Sequence, residues 1–317
     1  MSIRTTDAAR GEGAAPRAAS DLVNATFRHW SLWPCLGFLL ALSVYPVVQL
    51  VPMALSTIEF AGGQAVWRFT PRRNLDLLLA DEVLRDAIVN TLVFVGLSVA
   101  IEMVLGFFAA LFIACLPRGR VFARTIMILP ILLPAVAIGS MWKLMYNYDF
   151  GLFNQIAGAL GIEPGNWLGD TRWALLAVVV VDVWHWTPFV FLILFASIEA
   201  LPQDVLEAAR VDGASAWQMI RLIILPLLGP ALAVAAIFRA IGAFKAFDQV
   251  YLLTSGGPGT ATELVSLHLN RVFFEQNQLG YGAMLSLTII AVIAATIGVA
   301  RWAAPGGDRA VAAKAAP

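Results

Sequence analysis

The sequence predicts an all-α integral membrane protein with six transmembrane helices. Three observations predict it. Mean hydropathy is +0.79 over all 317 residues, so apolar character runs along the whole chain and is not confined to one anchor. Only 13% of residues are charged, against about 25% in a soluble domain. Six segments supply the roughly 20 apolar residues that a bilayer crossing needs, and none shows the alternation over about 9–11 residues that marks a barrel strand. The formal net charge is zero, which points away from nucleic acid or an anionic surface as partner.

Residues 1–29 are polar and rich in Ala and Arg, and are expected to form an N-terminal tail. The uncharged run Trp30–Ile58 is too long for the core of a signal peptide and is expected to be a retained first span. The second span is Ala87–Leu116, uncharged except for Glu102, and the third is Thr125–Tyr146, with Lys143 near its end. Trp173–Ile198 is the fourth and holds Asp182 and His185. The fifth runs from about Leu225 to Leu253 and carries Arg239, Lys245 and Asp248 in its second half. Tyr281–Ala300 is the sixth, so that residues 30–301 form one six-helix domain and 302–317 a C-terminal tail. Six spans place both termini on one side of the membrane. That side carries twelve of the Lys and Arg residues and the other side six, which puts the termini in the cytoplasm, although Arg68, Arg72, Arg73 and Arg85 in the first outer loop run against the rule.

Catalytic and redox chemistry find little footing. Cys35 and Cys115 lie in apolar runs without metal or redox spacing and are expected to be buried hydrophobes. His29, His185 and His268 make no metal pair, so no metal or bound cofactor is expected. No nucleophile–base arrangement is visible, and no G-x-x-x-x-G-K-[ST] loop is present, so ATP has to bind on another chain.

Between spans four and five lies a polar stretch, residues 202–226. Pro202 can open a helix, and Asp204 and Glu207 fall early in it, where acids complement the positive helix end. Gly213 can close it in the left-handed region. Ser215 and Gln218 have capping-box spacing for a second helix, whose Trp217, Ile220, Ile223 and Ile224 lead into span five. The stretch reads either as a docking element for a cytoplasmic partner or as a solvated interfacial loop.

Charges inside spans are expensive and mark cavities or partners. Asp182, His185, Trp186 and Phe189 share one helical face, with Trp184 beside them. Arg239, Gly242, Ala243 and Ala246 follow i, i+3, i+4, i+7 spacing on another. Hydrogen-bonding edges beside aromatic plates suit a sugar, with the guanidinium of Arg239 as a fork for an acidic group. Alternatively, Asp182 and Arg239 pair structurally and the tryptophans pack. Glu102 is expected to pair with a neighbouring helix, Lys143 to snorkel outward, Asp248 to be structural, and Gly256-Gly257-Pro258 to form a tight outer turn.

Glu207-Ala208-Ala209, three residues, Gly213, nine residues, Ile223, one residue and Leu225-Pro226 match the EAA signature. With "NTLVFVGLSVAIEMVLGFFAALFIA" from Asn90, "ILPILLPAVAIGSMWKLMY" from Ile128, "NWLGD" at Asn166 and "AFKAFDQVYLLTSGGPG" from Ala243, the chain resembles the permease subunits of binding-protein-dependent ABC importers from about Trp30 to Arg301. It is most similar to the carbohydrate-uptake branch and to the subunit type of the larger maltose-permease chain. The resemblance implies a type I importer permease fold in the bacterial inner membrane, carrying a sugar, polyol or acidic sugar derivative. It implies a coupling helix in which Glu207, Ala208, Ala209, Asp212 and Gly213 meet an ATPase, Glu207 pairing with basic residues and the small alanines allowing close approach. Its partners would be a second homologous permease, two ATP-binding subunits that hold ATP and Mg, and an extracytoplasmic solute-binding protein. It also places Asp182, Trp184, His185, Trp186, Phe189, Arg239, Gly242, Ala243 and Ala246 at substrate-contacting positions. Asparagines of the maltose-type chain are replaced here by Asp182, Ala243 and Ala246, which implies a solute other than maltose. The rival reading is a membrane-embedded signalling or assembly protein that docks a regulator, and neighbouring genes would separate the two.

Overall fold

The computed structural model describes residues 17–303, and the chain divides into two units, Met1–Pro52 and Met53–Pro317. The first consists of most of helix α1 (Arg17–Ala54), within which Leu32–Ala54 is long and apolar enough to cross a membrane. The helix begins inside the segment expected to be a polar tail. Residues 1–16 and 304–317, which hold the rest of the two tails, lie outside the described residues.

The second unit opens with an element absent from the all-α expectation. Strands β1 (Ser56–Ala61) and β2 (Gln64–Phe69) form an antiparallel hairpin in which Ile58 faces Trp67. The apolar run expected to cross the membrane as far as Ile58 therefore stops being helical at Ala54. The cause is local. Gly62 and Gly63 both have positive φ, 61° and 79°, and β-branched and aromatic residues flank them, the pattern of a two-residue hairpin turn. Helix α2 (Pro71–Ala80) follows, with proline at its first position. The buried Asn74 donates to Ala54 O (2.7 Å) and Ser56 O (3.0 Å), fastening α2 to the base of the hairpin.

Helices α3 (Glu82–Cys115) and α7 (Ala174–Glu199) form the centre of this unit. Asp81 caps α3 by accepting from the Leu84 amide at 2.9 Å. That cap starts the helix earlier than Ala87, and its 34 residues span about 50 Å at helical rise. The two helices meet closely at Gly106, where a Cβ would lie 2.7 Å from Val190 Cγ1, so only glycine fits the contact.

The segments expected as spans three and five are not single helices. The third is α4 (Arg120–Ile128), a short 3-10 turn Leu129–Leu132, and α5 (Ala135–Met145), bent by 94°. Pro130 and Pro134 account for the break, since each removes an amide donor and pushes the preceding residue out of the helical region. Between α5 and α7, helix α6 (Leu152–Ala159) is pinned by its buried Asn154. Its Oδ1 accepts from Gly165 N (3.0 Å) and Trp167 Nε1 (2.9 Å).

The expected fifth span likewise divides. Beyond α8 (Gln203–Val211), helix α9 (Ala216–Gln218) runs through a π-helical turn, Met219–Ile224, into α10 (Leu225–Leu227). It then bends by 67° into α11 (Gly229–Phe244). The bend falls between Pro226 and Pro230. Helix α11 stops at Phe244, and α12 (Asp248–Leu253) packs separately against α5. Asp248 opens α12, where a carboxylate complements the helix dipole. Helices α13 (Val265–Asn270) and α14 (Leu279–Ala303) complete the unit.

Among the described residues, four helices are individually long and apolar enough to cross a membrane, Leu32–Ala54, Glu82–Cys115, Ala174–Glu199 and Leu279–Thr296. The two bent pairs would raise the number to six. One core cluster gathers Phe94, Ile138, Val181, Phe244 and Leu253, and a second gathers Phe107, Ala110, Phe191, Leu194, Leu228 and Ala235. Cys35 and Cys115 are both exposed, contrary to expectation. In lipid an outward thiol behaves as the small hydrophobe it is, so apolar sequence context does not distinguish core from bilayer.

Candidate functional site

Arg239 is the centre of the buried polar structure. It projects from α11 with 2% of its side chain exposed, between Glu102 of α3 (0%) and Asp182 of α7 (1%). Nε and Nη2 donate to the two oxygens of Glu102, the latter at 2.7 Å, and Nη2 also donates to Asp182 Oδ2 at 2.7 Å. The guanidinium carbon lies 5.0 Å from the centre of the Trp186 ring. One cation thus ties three helices through a bidentate and a single charge-assisted contact. The expectation that Arg239 offers a free fork gives way here, because Nε and Nη2 are both engaged. Glu102 has the helix partner expected of it, and Asp182 has the structural pairing that was the alternative to substrate contact.

The remaining candidates divide by accessibility. Asp182, His185, Arg239 and Ala243 are buried. Trp184, Trp186, Phe189, Gly242 and Ala246 are only partly covered. Trp186 stands edge-on to Phe189 at 6.3 Å and beside His185 at 4.8 Å. His185 Nδ1 is hydrogen-bonded to Gln249 of α12. Trp184 is turned elsewhere and packs against Trp142 of α5 at 5.7 Å. The structure therefore joins Asp182, Arg239 and Trp186, with His185 and Phe189 flanking Trp186, and leaves Trp184 in the neighbouring core. Gln249 was missed from sequence. The lone side-chain amide of span five, next to Asp248, was the available signal.

The polar stretch forms as its local signals require. Pro202 is the residue before α8, and Asp204 lies in its first turn. Gly213 has φ +75°, which permits the turn after the helix, and Ala214 N bonds Ala209 O at 3.0 Å. Ser215 and Gln218 complete a capping box. Leu206 and Ala209 face inward, while Glu207, Ala208, Arg210, Asp212 and Gly213 are exposed and Val211 is 88% exposed. Of the two alanines expected to admit a partner, only Ala208 faces outward. Ala209 lies against its own chain, because adjacent helical residues point about 100° apart. The Arg120–Glu199 ion pair joins the start of α4 to the end of α7 near this stretch, with Arg120 5.1 Å from the Phe195 ring.

A second polar network was not anticipated at all. Asp81 accepts from the Leu84 amide, from Tyr281 Oη and, at 2.9 Å, from His268 Nε2. Burial acts to raise the Asp81 carboxyl, but the hydrogen bonds from Tyr281, Leu84 and His268 outweigh it and hold its pKa below the ordinary value. Glu263 accepts from Arg271 Nη1 at 2.9 Å, yet burial pushes its carboxyl up against that attraction. Beside it, Gly256-Gly257-Pro258 forms the expected tight turn, with Thr262 Oγ1 donating to Gly257 O at 2.7 Å.

Comparison with known proteins matches residues 81–306 to the binding-protein-dependent transport system inner membrane component family. The chain is 44% identical over 208 residues to the trehalose/maltose transport system permease protein MalF of Thermococcus litoralis, covering 65% of this chain and 70% of that one. It is 32% identical over 279 residues to the trehalose transport system permease protein SugA of Mycobacterium tuberculosis (87% and 89%). It is 30% identical over 262 residues to the sulfoquinovosyl glycerol transport system permease protein SmoG of Agrobacterium fabrum (82% and 84%). The fold matches a crystallised bacterial ABC transporter involved in import of the acidic polysaccharide alginate, with TM-score 0.76 at 22% identity, over 91% of this chain and 98% of that one. The broken spans, the outward surface helix and this match over most of the length agree, and the chain belongs to the family of binding-protein-dependent ABC transport permeases, with the type I permease fold.

Proposed function

We propose that this chain is the non-catalytic permease subunit of an ATP-driven importer for a sugar or sugar-like solute in the bacterial inner membrane. The observation that carries the reading is the family match over residues 81–306, and three relatives named above are sugar or sugar-conjugate permeases. The bent pairs count as spans three and five, which makes six, with both termini cytoplasmic. Helix α8 is the coupling helix. Its exposed Glu207, Ala208, Asp212 and Gly213 dock on an ATP-binding subunit that holds ATP and Mg, while Leu206 and Ala209 transmit the push to the bundle. A second homologous permease completes the path, and an extracytoplasmic binding protein delivers solute on the side of the Gly256–Pro258 turn.

The solute site is centred on the partly covered Trp186 and Phe189, backed by Asp182, His185 and Arg239, with the small Gly242, Ala243 and Ala246 leaving room beside the arginine's helix. The arginine faces two carboxylates already, so the patch offers aromatic stacking and hydrogen bonds without a spare positive charge. A neutral, hydroxyl-rich solute fits this better than an acidic sugar derivative. Trp184 contributes through packing. The experiment is uptake of trehalose, maltose and sulfoquinovosyl glycerol by cells carrying or lacking this gene, with Trp186→Ala alongside. Uptake of a sugar that vanishes on deletion and falls sharply in Trp186→Ala supports the reading. Growth and uptake unchanged by deletion for every sugar, polyol and sugar acid tried would overturn it.

A further inference from the structure

An apolar groove of about 420 Å³ lies on the second unit, lined by Met103, Val104, Phe107 and Phe108 of α3, Trp217, Ile220, Arg221 and Leu225 of the bent fifth span, and Leu232 of α11. Its volume falls within the range of small-molecule sites, about 300–1,000 Å³. Its walls are apolar except for Arg221, and no acid lines it. Arg221 is exposed and makes no ion pair among the described residues. Trp217, Arg221 and Leu225 are spaced four residues apart along the stretch that holds the π-helical turn Met219–Ile224, the spacing that puts helical side chains on one face, and all three line the groove.

We propose that this groove is a binding site for an anionic phospholipid, one acyl chain lying along Val104, Phe107 and Phe108 and the phosphate on Arg221. Phe108 and Val104 are more than half exposed on a helix that crosses the membrane, so acyl chains are the medium they meet. Trp217 beside an unpaired arginine at the end of that apolar wall is the side-chain pairing of a membrane interface. A second protein helix covering the groove would have to bring an acid of its own to this position to satisfy Arg221, since none lines the groove. A phospholipid already holds a phosphate at interfacial depth. With the cytoplasmic orientation proposed above, on which the inference rests, Arg221 faces the leaflet that is rich in anionic lipid.

The test uses the full chain with Phe108→p-benzoylphenylalanine, irradiated in native membranes and in vesicles of equal parts phosphatidylcholine and phosphatidylglycerol. The expected product is a lipid-mass adduct in both, with phosphatidylglycerol favoured about fivefold over phosphatidylcholine in the vesicles, the value of one interfacial arginine. Arg221→Gln should bring that ratio to parity while leaving the adduct yield unchanged, and Arg221→Lys should keep the preference. Val104→Trp, which fills the groove from an exposed position, should abolish the adduct. An adduct of polypeptide size in native membranes would show that a protein helix occupies the groove and overturn the proposal, as would equal capture of the two lipids by the probe chain that keeps Arg221. Vesicles present both leaflets with the same lipid, so the preference is read whether or not the proposed orientation holds.

Discussion

Replacing Arg239 by methionine tests the buried triad most directly. The substitution keeps an unbranched apolar stem and removes the guanidinium, and with it three charge-assisted hydrogen bonds, two to Glu102 and one to Asp182. The lost bonds are not the main penalty. Glu102 and Asp182 stay at 0% and 1% exposure with no cation beside them. Breaking a buried pair by removing one partner costs about 3–5 kcal/mol. At about 2–4 °C per kcal/mol for a chain approaching this size, the unfolding midpoint in detergent should drop by roughly 10 °C, read by fluorescence-detected gel filtration after heating. The triple variant Glu102→Gln, Asp182→Asn, Arg239→Met removes the charges together and should recover most of the loss, because isosteric neutral groups do not carry the desolvation penalty. Arg239→Met within about 1 kcal/mol of the parent would refute the reasoning, as would a triple variant no better than the single one.

Gly106→Val should separate α3 from α7, since even its Cβ would sit 2.7 Å from Val190. Overpacking of this kind costs about 1–3 kcal/mol, and the same heating assay reads it. Gly213→Pro should insert and fold yet abolish transport and ATPase association, because proline cannot adopt the φ of +75° that the turn requires. Normal co-purification and uptake in this variant would remove α8 from the coupling role. Alkaline-phosphatase fusions at Gly63 and Gly161 should be active and one at Gly213 silent, and an active Gly213 fusion would invert the proposed orientation. Asp81 has a folded-state pKa below its ordinary value of 3.8, so its ionised form stabilises the fold. That contribution is present above the ordinary value and is lost as pH falls through and below it. Asp81→Asn should lower stability at neutral pH and flatten the acid limb of a stability profile measured in detergent.

What could be read from the sequence was local or periodic. The left-handed Gly213 and the Ser215–Gln218 box are fixed by residues three or four apart, and both stand as expected. Apolar run lengths located the membrane segments but not their interruptions. The prolines at 130 and 134 stand in plain view in the expected span three, but its hydropathy runs on unbroken through them, and Gly62-Gly63 follows an apolar run whose uncharged length extends through Ile58. Pairings were legible only as a need. Glu102, Asp182 and Arg239 each demanded a partner, but the choice of partners depends on how three helices face one another, which no periodicity within one of them specifies. The Asp81–His268–Tyr281 network joins residues 187 and 200 positions apart, each unremarkable in its own surroundings.

The triad also has a consequence for how the chain is made. Glu102 enters the membrane 137 residues ahead of Arg239, and Asp182 enters 57 residues ahead of it. At about 5–20 residues per second, α3 waits on the order of ten seconds for its cation. During that interval each acid carries an insertion penalty of roughly 2.5–3.5 kcal/mol with no ion partner in its own chain. Helices α3 and α7 are therefore incomplete as membrane segments until α11 emerges. A chain truncated before Arg239 should be a degradation substrate even though its hydrophobic length is sufficient, which makes the arrival of α11 a checkpoint between an inserted chain and an accepted one.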